Sequence, residues 1–348
     1  MPKTKTTLSR RALLGAFASL SFFAFTRSAR ADLPRSRIVK TASDERGVTL
    51  TLELEHAPFP AAGFAYQDPT VIVFVPRHHR PARDGAVSMV VHFHGHNSTA
   101  ERAMIAHQLR EQIFDSKQNA ILVVPEIATL APDSAAGKLE QQGAFARLVD
   151  DVLRTLDSHE GRAALGRSWG AQRIVPGKKK TRGSIIELPP SPGRICVSAH
   201  SGGYHAAACA LKHGGARIHE VYLFDALYAD VDVFKDWVIA GSGRPMGSRH
   251  KLVSYFTAGT TEWNTKKLFA ELAQAGVACV HETVEGTLSR AELTHAEAVS
   301  IRTQNTHGTV TSETNGLRDC LYASALHRNL RSSWHDVKHG ARPLERRR

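Results

Sequence analysis

Short apolar runs separated by helical patterns recur along most of this chain, and that alternation leaves few folds open. Strand patterns fall at 48–54, 70–75, 88–93, 120–124, 195–198, 221–224, 252–256 and 278–283. Helical patterns separate them at 100–114, 143–156, 203–213, 231–239 and 265–275. A strand, a helix and a further strand close a right-handed crossover between parallel neighbours. The pattern therefore predicts an α/β fold with a doubly wound, mostly parallel, eight-stranded sheet. Residues 48–54 alternate apolar and polar side chains as an edge strand does, and Pro76 interrupts the second strand. A hydrophobic fraction of 42% over 348 residues builds a sizeable core, and the length suits one large domain with insertions.

The chemistry concentrates in Arg194-Ile-Cys-Val-Ser-Ala-His-Ser-Gly-Gly-Tyr-His205, where an apolar strand meets Ser201, two glycines and an alanine-rich helical pattern. A serine on a sharp strand-to-helix turn projects its hydroxyl above a sheet, and only small neighbours fit beside it. Ala199 and Gly203 hold the two small positions, so alanine stands where G-x-S-x-G has its first glycine. The backbone N–H of Gly202 would then lie at a helix start, aimed at a developing oxyanion. The plainer reading of the run is a tight turn into a buried helix.

Two further segments weigh against that plainer reading. Ser88-Met-Val-Val-His-Phe-His-Gly-His-Asn-Ser98 is an apolar strand ending in His94-Gly95-His96, the type of loop that supplies a second oxyanion donor. Thr306-His307-Gly308 follows a polar loop, and a histidine titrates near working pH as a base for serine must. The acid that orients the base is expected between serine and histidine. Asp225 ends the strand pattern Val221-Tyr-Leu-Phe and is favoured; Glu262, several residues beyond the next strand, is the alternative. Without a catalytic role Asp225 would cap a helix, and Glu262 would complement a helix dipole in a first turn.

In this order the segments resemble the α/β-hydrolase superfamily over about residues 48–326. The resemblance implies acyl transfer through a covalent intermediate on Ser201, with His307 as base and then acid, Asp225 as its partner, and the N–H groups of His96 and Gly202 as oxyanion hole. His94, Gly95 and His200 are candidates to contact substrate, and no cofactor is implied. A hydrolase fold that has lost its triad and only binds remains open, because a fold does not dictate function.

His92, His94 and His96 also suggest a copper or zinc site. That alternative calls for further His and Cys clusters late in the chain, whereas Cys320 stands apart and His327, His335 and His339 are singly spaced. Asn97 also occupies the place of the last histidine in an H-x-H-x-D-H ligand pattern.

Ser9-Arg10-Arg11-Ala12-Leu13-Leu14 resembles a twin-arginine export signal, followed by an apolar stretch at 13–25 and the small-residue site Ala29-Arg30-Ala31. The stretch is shorter than the roughly 20 apolar residues a membrane-spanning helix needs. The expected organisation is a signal peptide at 1–31, a hydrolase domain at 32–340 with an insertion at 161–192, and a basic tail at 341–348. The implied compartment is periplasmic or extracellular, the implied partners are the twin-arginine machinery and a small-molecule or envelope-polymer substrate, and no membrane span remains after cleavage.

Loss of Lys3, Lys5, Arg10, Arg11, Arg27 and Arg30, with no acid, lowers the formal charge from +12 to +6. The remaining basic runs lie at 173–182 and 342–348 and read as solvated loop and tail. No aromatic residues interleave with Lys178-Lys179-Lys180, so nucleic acid is not an expected partner. Cys196, Cys209, Cys279 and Cys320 are too scattered for a disulfide scaffold and read as small buried apolar residues. The insertion is expected to be disordered or a cap, and the loop at 126–142 to wall the pocket.

Overall fold

The computed structural model describes residues 36–167, 169, 171–175 and 184–329. The expected signal peptide, the lysines at 178–180 and the basic tail lie outside the described residues. The strands are β1 (Arg37–Ser43), β2 (Gly47–Glu53), β3 (Thr70–Pro76), β4 (Ala86–Phe93), β5 (Ala120–Pro125), β6 (Ala171–Val175), β7 (Ser184–Leu188), β8 (Ser191–His200), β9 (Ile218–Phe224), β10 (Lys251–Phe256), β11 (Cys279–Glu282) and β12 (Ala298–Arg302). The helices are α1 (Ala100–Ala106), α2 (Leu109–Ser116), α3 (Ala144–Asp157), α4 (His159–Leu165), α5 (Tyr204–His213), α6 (Val231–Gly241), α7 (Thr260–Gln274), α8 (Arg290–His295) and α9 (Gly316–Tyr322).

Ten strands form one sheet in the order β1-β2-β3-β5-β4-β8-β9-β10-β12-β11. The first three pairings are antiparallel and the remaining six parallel, so the fold is α/β with a mostly parallel sheet. Alternate residues of β4 explain the double winding. Met89, Val91 and Phe93 pack with Phe145 and Leu148 of α3 and Ala206 of α5, while Val90 packs with Leu109 and Ile113 of α2 and Leu317 of α9. Strands buried on both faces read as unbroken apolar runs, as the wholly buried Ala-Ile-Leu-Val-Val-Pro of β5 does.

Several expectations are corrected. Among the described residues the main sheet has ten strands rather than eight, because β1 and β12 escape the pattern. β1 is exposed along nearly its whole length and so lacks an apolar signature. It pairs with β2, which is therefore not an edge. β12 is five residues long and follows the polar Glu297. The helix expected at 100–114 is two, broken at Gln108, whose φ of 47° lies in the left-handed region. Beside the break, Gln112 Nε2 donates to the carbonyls of His107 and Thr311 at 2.8 Å. No disulfide joins the four cysteines, and Cys279 is only half-buried.

The described part of the insertion is not structureless. β6 and β7 form an antiparallel ribbon, and Trp169 before it is fully buried, its ring 5.1 Å from that of His79. The chain rejoins the sheet at the Ser191 end of β8, where Ser191 pairs with Ala86. Ser201 lies beyond the other end of that strand, about 30 Å away at roughly 3.3 Å per residue.

Candidate active site

Strand register assembles the site. Phe93 of β4 lies opposite Ala199 of β8, so two residues further on Gly95 comes beside Ser201. His200 of β8 lies opposite Phe224 of β9, so the next residues, Ser201 and Asp225, leave adjacent strand ends. The chain winds from β4 to β5 on one side and from β8 towards β11 on the other. Gly95 and Ser201 thus sit where strand order reverses, outside the carboxyl ends where open sheets bind ligands.

Both turns are strained. Ser201 has φ 50° and Asp225 φ 46°, a region that non-glycine residues rarely occupy. The neighbours accommodate the serine turn only because they are small. A Cβ on Gly203 would stand 2.5 Å from the Phe93 carbonyl oxygen, and one on Gly95 would stand 2.7 Å from Ser201 Cβ.

Ser201, His307 and Asp225 are brought into one chain of hydrogen bonds. Ser201 Oγ lies 2.9 Å from His307 Nε2, and His307 Nδ1 lies 2.7 Å from Asp225 Oδ2. The His307 side chain is 43% exposed and that of Asp225 only 1%. Burial alone would raise the Asp225 carboxyl. Hydrogen bonds from His307, the Thr261 hydroxyl, and the N–H and hydroxyl of Thr257 outweigh it and hold the pKa down to about 2. Asp225 is therefore an anion at neutral pH, acceptor-only and oriented by four donors.

The loop that carries His307 is itself anchored. Thr303 and Thr314 donate to the two oxygens of buried Glu285 at 2.6 and 2.7 Å, and Asn305 Nδ2 donates to Thr314 Oγ1 at 2.8 Å. Glu262 is not brought to His307. It occupies the first turn of α7, bonded to Lys266 at 2.7 Å and to Arg302 at 3.4 Å. There it lines a cleft of about 700 Å³ with Phe269, His281 and Arg302.

Of the residues expected to touch substrate, only Gly95 stands against the serine. His94 is fully buried, its Nδ1 2.9 Å from the Gly95 carbonyl and its Nε2 3.0 Å from Glu126. Glu126 in turn accepts from the Ala100 N–H at the start of α1, so His94 braces the loop from below rather than facing a ligand. His200 is 7% exposed and directs Nε2 to the His307 carbonyl. His96 is exposed, its ring covering Gly202 and meeting Ser134 Oγ at 2.8 Å. That contact brings the loop at 126–142 against the His94-Gly95-His96 turn, where Asn97 N–H also donates to the Ala131 carbonyl at 2.9 Å. The three strand-end histidines have three separate sets of partners, and among the described residues no group of three His, Cys, Asp or Glu side chains is placed to hold a metal.

Sequence inspection missed Thr257 and Thr261, which bind Asp225, and Tyr228. Tyr228 is 38% exposed, with its ring edge-on to His307 at 6.2 Å and 6.3 Å from Tyr204. The signal was proximity: Tyr228 stands three residues after Asp225, and both threonines precede Glu262 in one segment. His205 faces Asp230 at 2.7 Å, and that bond, with a weaker one to Cys209, raises its pKa to about 10.

No protein-family model matches the chain, and no curated protein matches its sequence. Among solved structures it is similar to a feruloyl esterase module from Clostridium thermocellum, at 10% identity and TM-score 0.46 over 84% of this chain and 96% of that one. It is similar to an S-formylglutathione hydrolase from Agrobacterium tumefaciens at 11% identity and TM-score 0.40, over 82% and 96% of the two chains. A fluorophosphonate-binding serine hydrolase from Staphylococcus aureus gives 9% identity and TM-score 0.42 over 82% and 99%. At these scores neither activity nor substrate passes from those proteins to this chain.

Proposed function

We propose that this protein is a serine hydrolase of α/β-hydrolase type, cleaving an ester or amide by acyl transfer. The observation that carries the proposal is the chain Ser201 Oγ to His307 Nε2 to Asp225, at 2.9 and 2.7 Å, on a serine whose backbone is held in a strained turn. His307 Nε2 accepts the Ser201 proton as Oγ attacks the carbonyl carbon, and the tetrahedral oxyanion is received by the N–H groups of Gly202 and His96. Collapse breaks the bond to the leaving group, which takes the proton from His307. Water then enters, gives a proton to His307, and releases the acid with Ser201 restored. The ionised Asp225 fixes the imidazole tautomer and stabilises the imidazolium formed in both halves.

Gly95 closes against the serine, and the exposed edges of Tyr228 and His96 flank it, so these groups meet the substrate first. We further propose export by the twin-arginine route and action in the periplasm or outside the cell, on a small acyl compound or an envelope polymer. The arginine pair, the short apolar stretch and the small-residue site at 29–31 support it.

Ser201→Ala tests the function. The variant should fold as the wild type does, lose labelling by a fluorophosphonate, and lose turnover of acyl esters by about six orders of magnitude. Labelling that persists in the variant would remove the serine from the mechanism.

A further inference from the structure

The residue immediately before the nucleophile, His200, is buried, and its ring does not point at the space above Ser201. Its Nε2 lies 2.8 Å from the backbone carbonyl oxygen of His307. A carbonyl only accepts, so Nε2 carries the proton and donates. The other ring nitrogen, Nδ1, lies on the Gly95 side, where a Cβ on that glycine would approach it to 3.0 Å.

Behind His200 the rings continue inward. The centroid of His107 is 4.4 Å from that of His200, and His92 is 5.6 Å from His107. All three are buried, and among the described residues no carboxylate bonds to any of the three rings. Burial, with lesser contributions from neighbouring imidazoles, lowers the pKa of His200 to about 4 and those of His107 and His92 well below the ordinary value. At neutral pH His200 is an uncharged imidazole with one proton, a fixed donor.

Consecutive residues therefore grip one histidine at two points. Ser201 Oγ meets the tip of the His307 ring, and His200 Nε2–H holds the His307 main chain. Asp225 fixes a third point, Nδ1. A ring whose main chain is free to shift loses its line to Oγ even with the carboxylate bond intact. Misplacement by about 1 Å is enough to cost roughly a hundredfold in rate.

We propose that His200 is a positioning residue for His307, tying the main chain of the base to the strand end that carries the nucleophile. The proposal rests on the serine-hydrolase function above and assigns His200 no contact with substrate, in place of the substrate contact expected from the sequence.

The test compares His200→Phe, which fills the space without a donor, with His200→Gln, whose side-chain amide restores one. The readouts are the rate of fluorophosphonate labelling, and kcat and KM on p-nitrophenyl acetate. All are scaled to the folded fraction seen by near-ultraviolet circular dichroism. His200→Leu stands in for His200→Phe if the phenyl ring prevents folding. The donor-free variant should lose about a hundredfold in kcat and labelling rate with KM within twofold, and His200→Gln should recover most of that loss. A donor-free variant with wild-type kcat, or a glutamine variant no better than it, overturns the proposal, because simple packing would not distinguish the two. Ser201→Ala separates the levels: labelling that survives there sinks the serine mechanism, whereas wild-type kinetics in His200→Phe with a dead Ser201→Ala sinks only the positioning role.

Discussion

His307 and His200 have ring centroids 4.9 Å apart and opposite circumstances. The first is 43% exposed on its side chain and backed by an anionic aspartate; the second is buried, backed by two more buried imidazoles and bonded to no carboxylate among the described residues. A carboxylate at hydrogen-bond distance stabilises the imidazolium that a general base must become, while desolvation forbids it. One end of the sheet thus holds a histidine bonded to a carboxylate beside a row of histidines that burial keeps uncharged. Residue type does not separate them, and the chain has 19 histidines to separate.

The largest break in that contrast comes from removing the carboxylate. Asp225→Asn should lower kcat by about four orders of magnitude, because the amide offers Nδ1 a donor and favours the wrong tautomer. Glu262→Gln should leave kcat unchanged, since Glu262 serves only Lys266 and Arg302 at the rim of α7. Steady-state rates of the two variants in one assay check this. A large loss confined to Glu262→Gln would move the acid to the other strand.

How far the sequence led is clear from the same residues. The parallel α/β architecture was legible because β3, β5 and β8 to β10 are apolar runs at strand length with helical spacing between them. Ser201, His307 and Asp225 were legible as candidates because each follows a strand or loop in a recognisable chain order. The partners of His94 and His200 were not, since both follow from register and loop path, which no local pattern encodes. Thr257 and Thr261 were hidden for a related reason: they act on a carboxylate more than thirty residues away in the chain. β1 left no trace because an exposed antiparallel edge needs no apolar face.

A second break is read as acid stability. His79 belongs to the proton-refusing class: it is 1% exposed beside Trp169, and burial, with Arg167 and other cations nearby, lowers its pKa to about 3. Between that value and the ordinary one near 6.5 the unfolded chain binds a proton that the folded chain does not. Stability therefore falls as pH drops through this window. Asp225 does not contribute between pH 7 and pH 5, because its stabilisation is lost only as pH falls from the ordinary value of 3.8 towards its folded value of about 2. In thermal melts His79→Phe should gain on the wild type by about 2 kcal/mol between pH 7 and pH 5. A constant gap over that range would show that His79 takes up its proton as readily in the folded chain as in the unfolded one.

The smallest effect sharpens the comparison from the opposite side. His205 is half-exposed and faces Asp230 at 2.7 Å, and the bond raises its pKa to about 10 instead of lowering it. For a base with a raised folded pKa, the stabilisation is fully present below the unfolded value near 6.5 and is lost as pH rises through 10. Exposure screens the pair, so the contribution is modest. Asp230→Asn should accordingly lower the Tm by a degree or two at pH 6, with the gap closing as pH rises towards 10. Lysine and tyrosine titration at high pH affects both proteins alike and cancels in the difference. A gap that holds its size from pH 6 to pH 10 would mean that His205 meets Asp230 as a neutral ring. The contrast would then reduce to the carboxylate-bonded His307 against the buried row alone.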